Sequence, residues 1–188
     1  FNMLFLEEIW SRNFTNLFIA PLKLKEIIVA LIFTALIRTL IGLVPAIILT
    51  APLFGVSILE LGYPLFLLFL SLYVFGITLG LFVSAGLIRF GPSFENIAWS
   101  SLFLLAPLGC IYYPIEILPN FFQIIAKGLP LVYIFDETRN ILLNGSVDYE
   151  NLKFAYFLNL IYLILGIYLF YFSFLKARIK GTLINMGE

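Results

Sequence analysis

Between Ile27 and Thr50 the chain carries one charged residue, Arg38, and otherwise runs through apolar and small side chains. A run of that length can cross a bilayer, which takes about 20 apolar residues at roughly 1.5 Å each. Three further runs qualify by the same count: Tyr63 to Ile88, Ile97 to Pro114 and Phe154 to Leu175. Their apolar residues are continuous rather than alternating, as helices in lipid require. The expectation is an all-α, polytopic integral membrane protein with four full transmembrane helices, organised as a single domain over residues 1–188.

Composition excludes a soluble alternative. Hydrophobic residues make up 62% of the chain and charged residues 12%, which leaves too little polar surface to cover a globule of 188 residues. The formal net charge is zero, so the overall balance does not point to nucleic acid as a partner. One cysteine, Cys110, excludes an internal disulfide and reads as packing material, and histidine is absent. Without histidine, neither a serine–histidine pair nor a zinc site of the usual kind can be built, and no catalytic, cofactor-binding or metal site is expected. The GxxxxGK[ST] phosphate loop is also missing, so ATP-driven work would have to come from a partner.

Between the third and fourth runs lies IEILPNFFQIIAKGLPLVYIFDETRNILLNGSVDYENLK. Pro119, Lys127, Gly128 and Pro130 cut its apolar pieces to about ten residues, too short to span. These pieces are expected to form a re-entrant or interfacial pair of short helices on the outer side. Charge placement agrees with that count. With residues 7–26 in the cytoplasm, Arg12, Lys23 and Lys25 lie inside, as do Arg89 two spans later and Lys176, Arg178 and Lys180 two spans after that. The intervening loop, Ala51 to Gly62, has no Lys or Arg. This predicts a multi-pass protein of the cell membrane, plasma or inner, with both ends of the segment cytoplasmic.

Smaller features stand out against this frame. EEIWSRNFTNLFIAPLK, residues 7–23, is amphipathic on a helix, with Trp10, Phe14, Leu17 and Phe18 on one face and Arg12, Asn13 and Asn16 on the other. It reads as a helix lying flat at the interface. Arg38 is costly at the bilayer centre, at about 2.5 to 3.5 kcal/mol on a translocon scale, so it should face protein or water. It is either a contact in a substrate pathway or a helix-pinning residue paired with a carboxylate or carbonyl. Gly76, Gly80 and Ser84 form a small-residue ladder suited to close helix packing. Asp136 and Arg139, three apart, suggest a local ion pair.

The order of these features resembles the transmembrane subunit of ABC-2-type transporters. One block runs from Glu7 and Glu8 through Leu17 to Ala20-Pro21-Leu22 and Glu26. The other holds Tyr113-Pro114, Leu118-Pro119, Leu129-Pro130-Leu131, Tyr133 and Arg139, and Phe94-Glu95 fits the turn between them. The resemblance implies a permease of six spans, of which these four are the third to sixth. On that alignment FNMLFL ends the second span and the chain is N-terminally incomplete. It also implies that residues 7–23 are a coupling helix resting on an ABC ATP-binding subunit, with Glu7, Glu8, Arg12, Asn13 and Asn16 facing it. ATP and Mg would sit on that partner, and a second permease copy, identical or related, would complete the exporter within membrane lipid. The outer segment marked by Pro114, Pro119, Pro130, Tyr133 and Arg139 would lie at the exit. Two other classes stay open on the residues alone: a membrane-embedded lipid-modifying enzyme, with Arg38 meeting a phosphate, and a non-transporting membrane scaffold.

Overall fold

A computed structural model describes Leu4, Leu6, Glu7, Trp10, Ser11, residues 24–55 and residues 58–180. Six α-helices occur among these residues: α1 (Leu24–Phe54), α2 (Tyr63–Phe90), α3 (Glu95–Leu108), α4 (Asn120–Ala126), α5 (Pro130–Asn144) and α6 (Tyr149–Lys180). The protein is all-α, as the continuous apolar runs require.

Three of these helices, not four, are long and apolar enough to cross a membrane: α1, α2 and α6. The expected third span, Ile97 to Pro114, is the one that fails. Its helix stops at Leu108 after 14 residues, a length of about 21 Å against a hydrocarbon core of about 30 Å. The cause is local. Pro107 has no amide to continue the ladder, and the chain then turns, with the Gly109 amide on Leu105 O at 2.7 Å and the Cys110 amide on Pro107 O at 3.2 Å. Cys110 takes the left-handed conformation, φ 52°, which is rare for a residue with a Cβ and ends the helix. Hydropathy counts apolar residues and is blind to that turn. The even number of crossings favoured by charge placement therefore does not follow from helix length.

The broken segment does form two short helices. Pro119 stands in extended conformation immediately before α4, and Pro130 opens α5 at its first turn, where a missing amide costs nothing. Lys127 and Gly128 occupy the turn between them.

Two compact units divide the chain: residues 1–44, 76–98 and 164–188, and residues 45–75 and 99–163. In the first, Leu6, Leu81, Leu87, Phe170 and Phe174 are buried. There α6 runs close to α2, since a Cβ at Gly166 would lie 3.5 Å from both Thr78 O and Leu81 Cβ. The proposed small-residue ladder is divided: Gly80 and Ser84 are buried, whereas Gly76 is open. In the second unit, Leu68, Ile134, Ile141, Leu152 and Ala155 form one apolar cluster, and Cys110, Ala126 and Val132 form another.

Candidate functional site

The most constructed part of the molecule is the return segment from Gly109 to Asp148, with α4 and α5 at its centre. α5 buries Leu131, Ile134, Glu137 and Ile141 at a three- and four-residue spacing that makes one helical face, with Val132 buried beside it. Side chains from this region reach main-chain carbonyls where helices end and carbonyls lose their intrahelical partners. Arg139 Nη1 donates to Cys110 O at 2.8 Å. The Tyr113 hydroxyl donates to Pro107 O at 2.8 Å, so the end of α3 is held twice. At the end of α4, the Tyr133 hydroxyl donates to Lys127 O and the Tyr162 hydroxyl to Gly128 O, both at 2.9 Å. Gln123 Nε2 donates to Leu118 O at 2.7 Å.

Of the residues singled out by sequence, this geometry gives Tyr133 and Arg139 each a main-chain carbonyl at a helix end, with Pro119 and Pro130 setting the helix starts. Pro114 precedes a short 3-10 turn, Ile115–Ile117. The Asp136–Arg139 pair exists but is long, 3.4 Å, so the Cys110 carbonyl is the better partner. Desolvation by burial pushes the Tyr133 phenol up from its ordinary value, which keeps it a donor. With its thiol wholly buried, Cys110 packs rather than reacts.

Tyr113, Gln123 and Tyr162 were not legible as donors of this kind. Tyr162 lies 34 residues from its acceptor and in the sequence is one aromatic among many in an apolar run. Other polar groups, buried or part-buried, also lack a sequence signal. Asn159 on α6 donates to Ser71 O at 3.0 Å and Ser71 Oγ at 2.8 Å on α2, and the Tyr156 hydroxyl donates to Leu67 O at 2.7 Å. Polar pairs of this kind hold apolar helices in register where hydrophobic driving force is lacking. Glu137 on α5 is fully buried, and its Oε1 accepts the Asp148 amide at 2.7 Å.

At the other end of the chain, Arg38 pairs with Glu7, its Nη1 within 2.8 Å of both carboxylate oxygens. Of the two readings of Arg38, the carboxylate-paired one has its partner here. That hydrogen bond also holds the Glu7 carboxyl below the usual carboxylate range. One turn on, Trp10 Nε1 donates to Glu95 Oε2 at 3.3 Å. Glu7 is thus engaged inside its own chain. Glu8, Arg12, Asn13 and Asn16 lie outside the described residues.

No family model, curated protein or solved structure matches this chain.

Proposed function

We propose that the chain is the transmembrane permease subunit of an ATP-binding cassette exporter, moving its substrate with ATP hydrolysed by a separate subunit. The observation that carries the reading is the return segment. A proline-punctuated block, Tyr113-Pro114 to Arg139, resembles the ABC-2 pattern, and it folds as two short helices behind a helix too short to span. A segment of this build, broken in backbone yet satisfied by its own side chains, suits a cap over an exit path better than a surface facing lipid.

On this reading ATP and Mg belong to the partner subunit, and the permease works as a pair. Residues 7–26 and the stretch after α6 are cytoplasmic, with the short α3 and the non-helical residues up to Pro114 making the return crossing. The entry stretch contacts the ATPase through Glu8, Arg12, Asn13 and Asn16, while Glu7 holds Arg38. The test is purification of the tagged chain from its native membrane. Co-purification of an ATP-hydrolysing subunit that cross-links to cysteines placed at Asn13 or Asn16 supports the reading. A complex with no ATPase in it, or one whose ATPase links elsewhere but never at these positions, overturns it.

A further inference from the structure

The connection between α5 and α6 is built from side chains rather than left as a loop. Asp148 stands at the N-terminal cap of α6: its Oδ1 accepts the Glu150 amide at 2.9 Å, the usual role of a capping aspartate. In a capping box, an acid three residues into the helix reaches back to the amide of the capping residue. Here that position is Asn151, whose side chain is one methylene shorter than that of the Glu or Gln the box uses. The Asp148 amide is taken instead by Glu137, eleven residues earlier and on the preceding helix, at 2.7 Å.

The rest of the joint is equally closed. α5 ends on Gly145 with φ 66°, its amide on Ile141 O at 2.9 Å, a left-handed turn that glycine adopts without steric cost. Asn140 Nδ2 donates to Ser146 O at 3.3 Å, and Asn144 Nδ2 to Asn140 Oδ1 at 2.7 Å. On the buried side, Ile134 and Ile141 of α5 pack with Leu152 and Ala155 of α6 and with Leu68. Glu137, one turn from each of those isoleucines, sits on the same face. Its second oxygen, Oε2, has no hydrogen-bond partner among the described residues. Lying beside the start of a 32-residue helix, the carboxylate meets the positive end of the peptide dipoles there.

We propose that Glu137 is the remote member of the α6 capping box and fuses α5 to the first turns of α6, so that the two move as one body. The joint is an elbow rather than a hinge. Any motion of the outer turns of α6 carries α5 with it, and α5 cannot swing away without uncapping α6. The inference does not depend on the transport reading or on any cargo.

The test uses the full chain in membranes, with Cys110 left in place because it is buried. Amide exchange is read at Asp148, and the distance between spin labels on exposed Leu142 and Phe157 is measured. Wild type and Glu137→Gln, which keeps an acceptor oxygen, should show a protected Asp148 amide and a narrow distance distribution. Glu137→Leu should exchange at Asp148 at least about tenfold faster and broaden the distribution, as local opening becomes cheaper. The proposal is overturned if Glu137→Leu matches wild type in both measurements, or if Glu137→Gln behaves like the Leu variant. Should the Leu variant not fold, wild type alone decides: an Asp148 amide exchanging at the unprotected rate overturns the proposal, and a protected one with a narrow distribution supports it.

Discussion

α1 and the return segment are both apolar, yet they are held in place by opposite means. In α1 only 6% of the most apolar stretch is buried within the chain, against 39% for α2. Phe33, Ile37, Ile41, Ile48 and Leu53 are all exposed. Its structure follows from backbone self-satisfaction in a medium without water, and its side chains need only be apolar. The return segment is the reverse case. Its helices are 7 and 15 residues long, and short helices of this kind are marginal unless tertiary contacts support them. They persist through particular donors on particular carbonyls. Solvent specifies the first region, and individual atoms specify the second.

That contrast can be broken most severely in α1 by charge. Ile41→Lys places an ammonium on an exposed face in mid-helix, at a cost of about 2.5 to 3.5 kcal/mol on a translocon scale. A glycosylation-reporter insertion assay should show a clear drop for this variant and none for Ile41→Leu. Equal insertion of all three chains would mean that α1 does not face lipid.

In the return segment, one polar atom should matter where one apolar atom in α1 does not. Arg139→Leu leaves the carbonyl of fully buried Cys110 without its donor, a loss of about 1 to 3 kcal/mol. Thermal unfolding in detergent should fall markedly, with Arg139→Lys recovering only part of it, because an ammonium lacks the planar reach of the guanidinium.

A smaller effect separates two tyrosines of the same helix. Tyr162→Phe removes the hydroxyl on Gly128 O and should destabilise by about 0.5 to 1.5 kcal/mol. Tyr168→Phe, at an exposed position, should stay within about 0.5 kcal/mol of wild type. Equal effects would remove these carbonyl contacts from the account.

The smallest expected effect concerns pH. Glu7 has a lowered folded-state pKa through its hydrogen bond to Arg38, so its stabilising contribution is present above the ordinary carboxylate range and is lost as pH falls through the lowered value. Unfolding midpoints of wild type and Glu7→Gln should differ near neutrality and converge in acid. A difference that persists or grows in acid would assign the effect to something other than the Glu7 carboxylate.

The same contrast explains what the sequence made legible. α1, α2 and α6 were found because hydropathy measures what holds them, and Pro119 and Pro130 marked breaks because a missing amide is a local fact. The end of α3 was misplaced by six residues because the Gly109-Cys110 turn is decided by Leu131 packed against Gly109 and by Arg139 reaching back 29 residues. Tyr133 is marked by resemblance alone and Arg139 also by its spacing from Asp136, but neither signal reveals the carbonyl that each one reaches. Glu7 is marked only by the resemblance, and no periodicity reveals Arg38 as its partner. Glu137 had no signal at all: an acid on α5 takes meaning only from the amide eleven residues later.

On the proposed reading, the return segment enters and leaves on one side of the membrane. Cysteines at Asn120 and Asn144, both exposed, in a Cys110→Ser background, test it with a membrane-impermeant thiol reagent added from one side at a time. On that reading both react from the outside and neither from the cytoplasm. Reaction of Asn120 only from the outside and Asn144 only from the cytoplasm would make the segment a crossing and contradict it.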